Sequence, residues 1–207
     1  MAYFGLSKLA AVNRIAQLCN LNERVTALDS TGTWPSKTYG ASDAGQIEQD
    51  LDEVKAQVLA RGYQCNTRRN QKYTRATQGA ITLPDNTLKI IPTGPSELRN
   101  HTIFDNKVYD LEPTPPTDQL APGDYFYHIV VDIDFDSLEP TVKQLVVAEA
   151  SRIIQRRRRG DPRIDMYLAD EVAAAELAVS RSKQTSHTYP INPQPVMPRV
   201  ATGAEAP

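Results

Sequence analysis

Residues 137–183, SLEPTVKQLVVAEASRIIQRRRRGDPRIDMYLADEVAAAELAVSRSK, restrict the fold more than any other segment. Val142, Leu145, Val146, Ala150, Ile153 and Ile154 recur at helical spacing, as do Ile164, Leu168, Val172, Ala175 and Val179. Between the two runs stands Gly160-Asp161-Pro162. Gly160 suits the left-handed residue that closes a helix, Asp161 a cap for the next, and Pro162 a first helical position that needs no amide donor. The spacing predicts a hairpin of two long helices.

Two more helices are expected upstream. The first runs from Leu6 to Cys19, with Leu6, Leu9, Val12, Ala16 and Cys19 on one face, where Cys19 reads as a small reduced core residue. The second runs from Ser42 to Arg61 and stops at Gly62, with an apolar stripe of Ala44, Ile47, Leu51, Val54 and Val58. Asp43, Glu48, Asp50, Asp52 and Glu53 crowd its first half and Lys55 and Arg61 its second, an order that complements the helix dipole.

From Tyr63 the period changes to that of strands, in short β-rich runs (YQCN, QKYTRAT, AITLP, TLKIIP, HTIF, KVYDL) expected to form an antiparallel meander. Asp105-Asn106 suits a two-residue hairpin turn. In the last strand, Tyr125, Tyr127, Ile129, Val131, Ile133 and Phe135 alternate with His128, Asp132 and Asp134, which predicts one buried and one wet face. The expected architecture is α+β: a four-helix bundle built from the N- and C-terminal helix pairs (1–62 and 137–184), an inserted antiparallel β domain (63–136), and a proline-rich extended tail (185–207).

Chemical signatures are few. Asp132, Asp134 and Asp136 open like a calcium loop, but the sixth and twelfth places hold Ser137 and Lys143 instead of Gly and Glu. His101, His128 and His187 stand apart, with no metal-ligand or nucleophile motif around them. No cofactor, metal or catalytic residue is therefore expected. A net charge of −2 gives the whole chain no bias toward nucleic acid, and the N-terminus has no apolar run suited to a signal peptide or membrane span. The one strong charge run, Arg156, Arg157, Arg158 and Arg159, points around most of a helix circumference and is expected at a subunit or partner interface. Tyr189, Ile191, Val196 and Met197 are expected partner anchors in a tail whose prolines favour an extended chain.

Several segments, in order, resemble the tail tubular protein A family, the head-to-tail adaptors of short-tailed bacteriophages. They are AAVNRIAQLCNLNERVTALD, LDEVKAQVLARGYQCNT with its Arg-Gly-aromatic-x-x-Asn close, ITLPDNTLKI, DNKVYDLE, and DIDFDSLEPTVKQLVVAEASRIIQRRRRGDP. Tyr63 stands where that family commonly has tryptophan, and Glu139 separates Leu138 from Pro140. The resemblance implies a non-enzymatic virion protein, synthesised in the host cytoplasm, that forms a homo-oligomeric ring, commonly of twelve subunits. Its implied partners are the portal protein and a tubular protein B-like nozzle, with DNA passing through the channel unread and no membrane involved. Two other readings remain at this point: a nucleic-acid-binding module using Arg156–Arg159 with Arg68, Arg69 and Arg75, and a virion-borne carbohydrate-active enzyme using Asp132, Asp134 or Asp136.

Overall fold

The computed structural model describes residues 6–19, 25–28, 30–31 and 37–187, the last five as backbone only. The chain order is α1 (Lys8–Leu18), β1 (Ser30–Thr31), β2 (Thr38–Tyr39), α2 (Asp43–Leu59), β3 (Thr67–Arg75), β4 (Thr87–Pro92), β5 (His101–Phe104), β6 (Lys107–Asp110), β7 (Gly123–Val131), α3 (Pro140–Arg158) and α4 (Pro162–His187).

Helix boundaries follow local chemistry. Ser7 and Ser42 cap α1 and α2 by accepting hydrogen bonds from Ala10 N and Gly45 N. Gly62 and Gly160 take left-handed φ angles of 80° and 65° where α2 and α3 end. Asp161 Oδ1 accepts from Arg163 N at 2.9 Å to start α4. Asp136 accepts from Lys8 N at 2.9 Å and so serves the first turn of α1, far from it in sequence.

The architecture is α+β, but the expected four-helix bundle is not formed. α3 is the hub, packing against α1, α2 and α4. α4 lies along α3 with a single buried lane of Leu168, Ala175 and Val179, while Met166, Tyr167 and Leu177 on its other side are exposed. A bundle helix faces two neighbours and needs a wider apolar stripe than this one. Near α1, α4 contributes the Glu171 partner of Arg14 at the rim of a cleft, not a shared core seam.

Nor are the strands a meander. β7, last in the chain, is central in a sheet of order β3-β7-β4, and β5-β6 and β1-β2 form separate two-stranded sheets, all antiparallel. YQCN forms a 3-10 turn at Gln64–Asn66, and AITLP pairs only through isolated bridges such as Thr82 to Lys107. The β5-β6 turn is as expected, with Asp105 and Asn106 at φ 49° and 56°. β7 ends at Val131, and Phe135 lies in a following 3-10 turn. The predicted wet face of β7 fails at its end: Val130 is buried and Asp132 is 5 % exposed, because the helices cover that side.

Two apolar cores result. One joins α1, α2, α3 and α4 through residues such as Ile15, Cys19, Leu51, Leu145, Ile154 and Val179. The other lies on the sheet, around Ile81, Val108, Tyr125, Tyr127 and Ile129. Between them Asn66 is fully committed. Its Nδ2 donates to Leu59 O and Val131 O, both at 3.0 Å, and its Oδ1 accepts from Tyr63 N at 2.7 Å. Asn66→Ala removes a hydrogen bond from each of three buried backbone groups, of which Leu59 O keeps Gly62 N as a donor, and should lower unfolding free energy by about 1–3 kcal/mol in a denaturant titration. A loss below about 0.5 kcal/mol would show that the junction does not depend on this side chain.

Candidate interaction surfaces

The arginine run is consumed largely within the subunit. Arg156 forks onto Asp165 (2.5 Å from Nε and 2.8 Å from Nη2), and Arg152 joins the same carboxylate at 3.1 Å. Asp165 is held down to about 2, first by the Arg156 hydrogen bond and then by that of Arg152. Arg157 pairs with Asp50, and Arg158 reaches Asp43 at 2.8 Å and Gln46 at 3.2 Å. Arg159 closes α3 with its backbone N–H on Gln155 O. Consecutive arginines radiate from the helix end, so three of them clamp α2 and α4 rather than present one phosphate-facing surface. The second basic group is also divided. Arg68 and Arg69 are exposed on β3, whereas Arg75 lies over Gly79, where a β-carbon would stand 2.0 Å from its Nη2.

The acidic ladder does not converge. Asp132 is buried against Lys55, whose Nζ stands 3.0 Å from Oδ1 and 3.1 Å from Oδ2. Burial pushes the Asp132 carboxyl up, against the pull of Lys55. Asp134 and Asp136 are exposed, and Asp136 is spent on the start of α1. Three carboxylates in three environments offer no paired acid and base across a cleft. Among the described residues no group of three or more His, Cys, Asp or Glu side chains is placed to hold a metal ion. His101 Nδ1 lies 2.8 Å from Tyr127 Oη inside the sheet core, and burial lowers its basicity. His128 accepts from Asn70 N.

The densest polar site was not legible as one. Lys8 Nζ contacts Glu48 Oε1 at 2.8 Å and Asp52 Oδ2 at 2.6 Å; Lys37 Nζ contacts the same two atoms at 2.8 and 3.0 Å. Ser30 Oγ donates to Glu48 Oε1 and Tyr39 Oη to Asp52 Oδ2. The cluster fastens β1 and β2 onto α1 and α2. Burial pushes both carboxyls up, but the lysine hydrogen bonds outweigh it and hold them below the ordinary range. Burial pulls Lys8 down despite Asp52 and Glu48. The sequence signal was an i, i+4, i+7 lane of Glu48, Asp52 and Lys55 beside the apolar stripe of α2, which puts these charges against neighbours rather than in water.

Large apolar side chains are exposed on α4 and on the β side, and Leu28, Ile91 and Leu111 are exposed besides. On α4, Met166 is 74 %, Tyr167 62 % and Leu177 51 % exposed. Leu98 and Phe104 protrude from the β5-β6 side, with Phe104 edge-on to Tyr109. A cleft of about 180 Å³ between α1, α3 and α4 is floored by Val147, Ala148 and Ala175, with the Arg14–Glu171 pair at 3.1 Å on its rim. Tyr189, Ile191, Val196 and Met197 lie outside the described residues. No described helix is long and apolar enough to cross a membrane.

Arg156, Arg157 and Arg158 are thus held on the subunit itself, while large apolar side chains face outward. The profile of tail tubular proteins matches residues 18–189, so this chain belongs to the phage tail tubular protein family. It is a structural protein of the phage tail, and its place is the virion. No curated protein matches the chain.

The ion cluster has a definite acid limit. Because Glu48 and Asp52 sit below their unfolded values, their stabilisation is complete above about pH 4 and is lost as pH falls through the folded values. Amide exchange at Thr38 and Tyr39, corrected for intrinsic rates, should stay slow from about pH 5 to 8 and accelerate below about pH 4. Exchange that remains protected at pH 3 would remove the cluster as the anchor. Asp52→Asn should already speed exchange there at pH 7, since it leaves buried Lys8 and half-buried Lys37 short of a carboxylate.

Proposed function

We propose that the chain is the head-to-tail adaptor of its phage, assembling as a ring, commonly of twelve copies, between the portal and the tail nozzle. The observation that carries this reading is the exposure of unlike large apolar side chains on two parts of one subunit, Met166, Tyr167 and Leu177 on α4 and Leu98 and Phe104 on the β side. Monomeric proteins seldom expose large apolar side chains in groups. A closed ring is built from heterologous contacts, in which one surface of each copy meets a different surface of the next. Two unlike patches suit that geometry, whereas an isologous dimer uses one patch twice.

Family membership supports the location, and the resemblance to adaptors of short-tailed phages supports the portal and the nozzle as partners. DNA then crosses the central channel without being read, in keeping with arginines at 156, 157 and 158 that are bound to the subunit's own carboxylates or amide. Catalysis has no part in this role.

Electron microscopy of the purified protein with its portal partner should show a ring seated on the portal vertex. Particles that never exceed a monomer or dimer with portal present would refute the adaptor reading. In the same preparation, Arg157→Ala and Arg158→Ala should leave ring formation intact and lower subunit stability by no more than about 1 kcal/mol each, as exposed pairs do. Loss of DNA retention with the ring unchanged would instead assign these arginines to the channel.

A further inference from the structure

Charge is unevenly placed along this chain. Of its 23 Lys and Arg and 25 Asp and Glu, residues 63–96 hold five and one, Arg68, Arg69, Lys72, Arg75 and Lys89 against Asp85. All five cations lie on β3 and β4, the two outer strands of the sheet whose centre is β7. A basic sheet thus stands on a subunit whose remainder, taken together, is acidic.

Register sorts the sheet into two faces. Tyr125, Tyr127 and Ile129 of β7 and Ile90 of β4 belong to the sheet core. Lys72 is paired with Phe126, Ile91 with His128 and Lys89 with Val130, so these side chains share the other face. Lys72, Ile91 and Lys89 are exposed there, and Phe126 and His128 are half-buried between them. Arg68 and Arg69 are exposed where β3 bulges, next to Asn70, whose N–H donates to His128 Nδ1 on that face. The acid on the face, Asp124, is taken by Lys72 at 2.9 Å and by Thr74 at 2.7 Å.

Pairing within the subunit sets these cations apart. Arg152, Arg156, Arg157 and Arg158 hold the subunit's own carboxylates. Arg68, Arg69 and Lys89 make no ion pair among the described residues. Lys72 and Lys89 are two strand spacings apart across the sheet and four residues apart along it, about 16 Å in all. Duplex DNA carries a charge about every 1.7 Å along its axis, so flexible cations at such separations find phosphates in any register. A folded acidic partner would instead need carboxylates at matching positions.

We infer that the exposed face of the β3-β7-β4 sheet binds the phosphate backbone of duplex DNA without reading its sequence. Cations spread over an open surface hold the duplex loosely enough for it to slide. The inference rests on the adaptor reading for the presence of DNA, and it gives the ring an orientation, with this face toward the channel.

The test is fluorescence anisotropy of the full-length chain with labelled duplexes of two unrelated sequences, from about 20 to 200 mM salt. Equal affinity for both is expected, falling linearly with salt on logarithmic axes. Arg68→Gln, Arg69→Gln and Lys89→Gln together should weaken binding about tenfold or more at the lowest salt and make that slope shallower by about 3. These side chains hold no carboxylate of the subunit, and circular dichroism checks that the fold is kept. Arg157→Ala with Arg158→Ala should leave the affinity unchanged. Undiminished binding by the triple variant, or no binding by the native chain at about 20 mM salt, would overturn the inference. A triple variant that keeps native DNA affinity but no longer joins its neighbours or the portal would assign the face to a protein partner instead. The assay needs no ring, so DNA binding by a chain that never assembles would sink the adaptor reading and leave the DNA contact standing.

Discussion

The junction between α2 and β7 is the constraint on which the rest of the subunit depends. Asn66 satisfies the end of α2, its own turn and the end of β7 with one side chain, and Lys55 reaches Asp132 and Ile133 O a few residues away. Both attachments are buried, where an unmet polar group costs far more than a met one contributes. Ile133 packs against both the helical and the sheet core, and the paired polar groups hold the same junction. This also gives a physical reason for the Arg-Gly-aromatic-x-x-Asn pattern. Gly62 supplies the positive φ that turns the chain out of α2, and Tyr63 N and Asn66 Oδ1 close the turn.

Local features were legible in the sequence wherever a single element determines them. Glycine stops, the Gly160-Asp161-Pro162 corner and the Asp105-Asn106 turn depend on a few adjacent residues, and they appear as expected. What eluded sequence reading was set by partners far along the chain. Asp132 looked wet by alternation but meets Lys55, 77 residues away. Asp136 looked like one step of an acidic series but serves Lys8 N, 128 residues away.

The bundle was misjudged for a related reason. Periodicity gives the direction of an apolar stripe but not the number of neighbours it meets. The stripe of α4 is narrow enough for α3 alone, and its opposite side carries methionine, tyrosine and leucine that a periodicity count ignores. Strand order was misjudged because a meander is merely the shortest connection. Here β7 returns over a proline-rich link to take the centre, which buries it on both sides at its far end.

The cluster of Lys8, Lys37, Glu48 and Asp52 has a bearing on the conditions a virion meets. Ions in solution screen a buried cluster far less than they screen surface pairs. A connection fastened in this way keeps its place in saline surroundings and yields to acid, which protonates its carboxylates. β1 and β2 are thus anchored by an interaction that salt reaches poorly, while the outward apolar faces weaken on cooling.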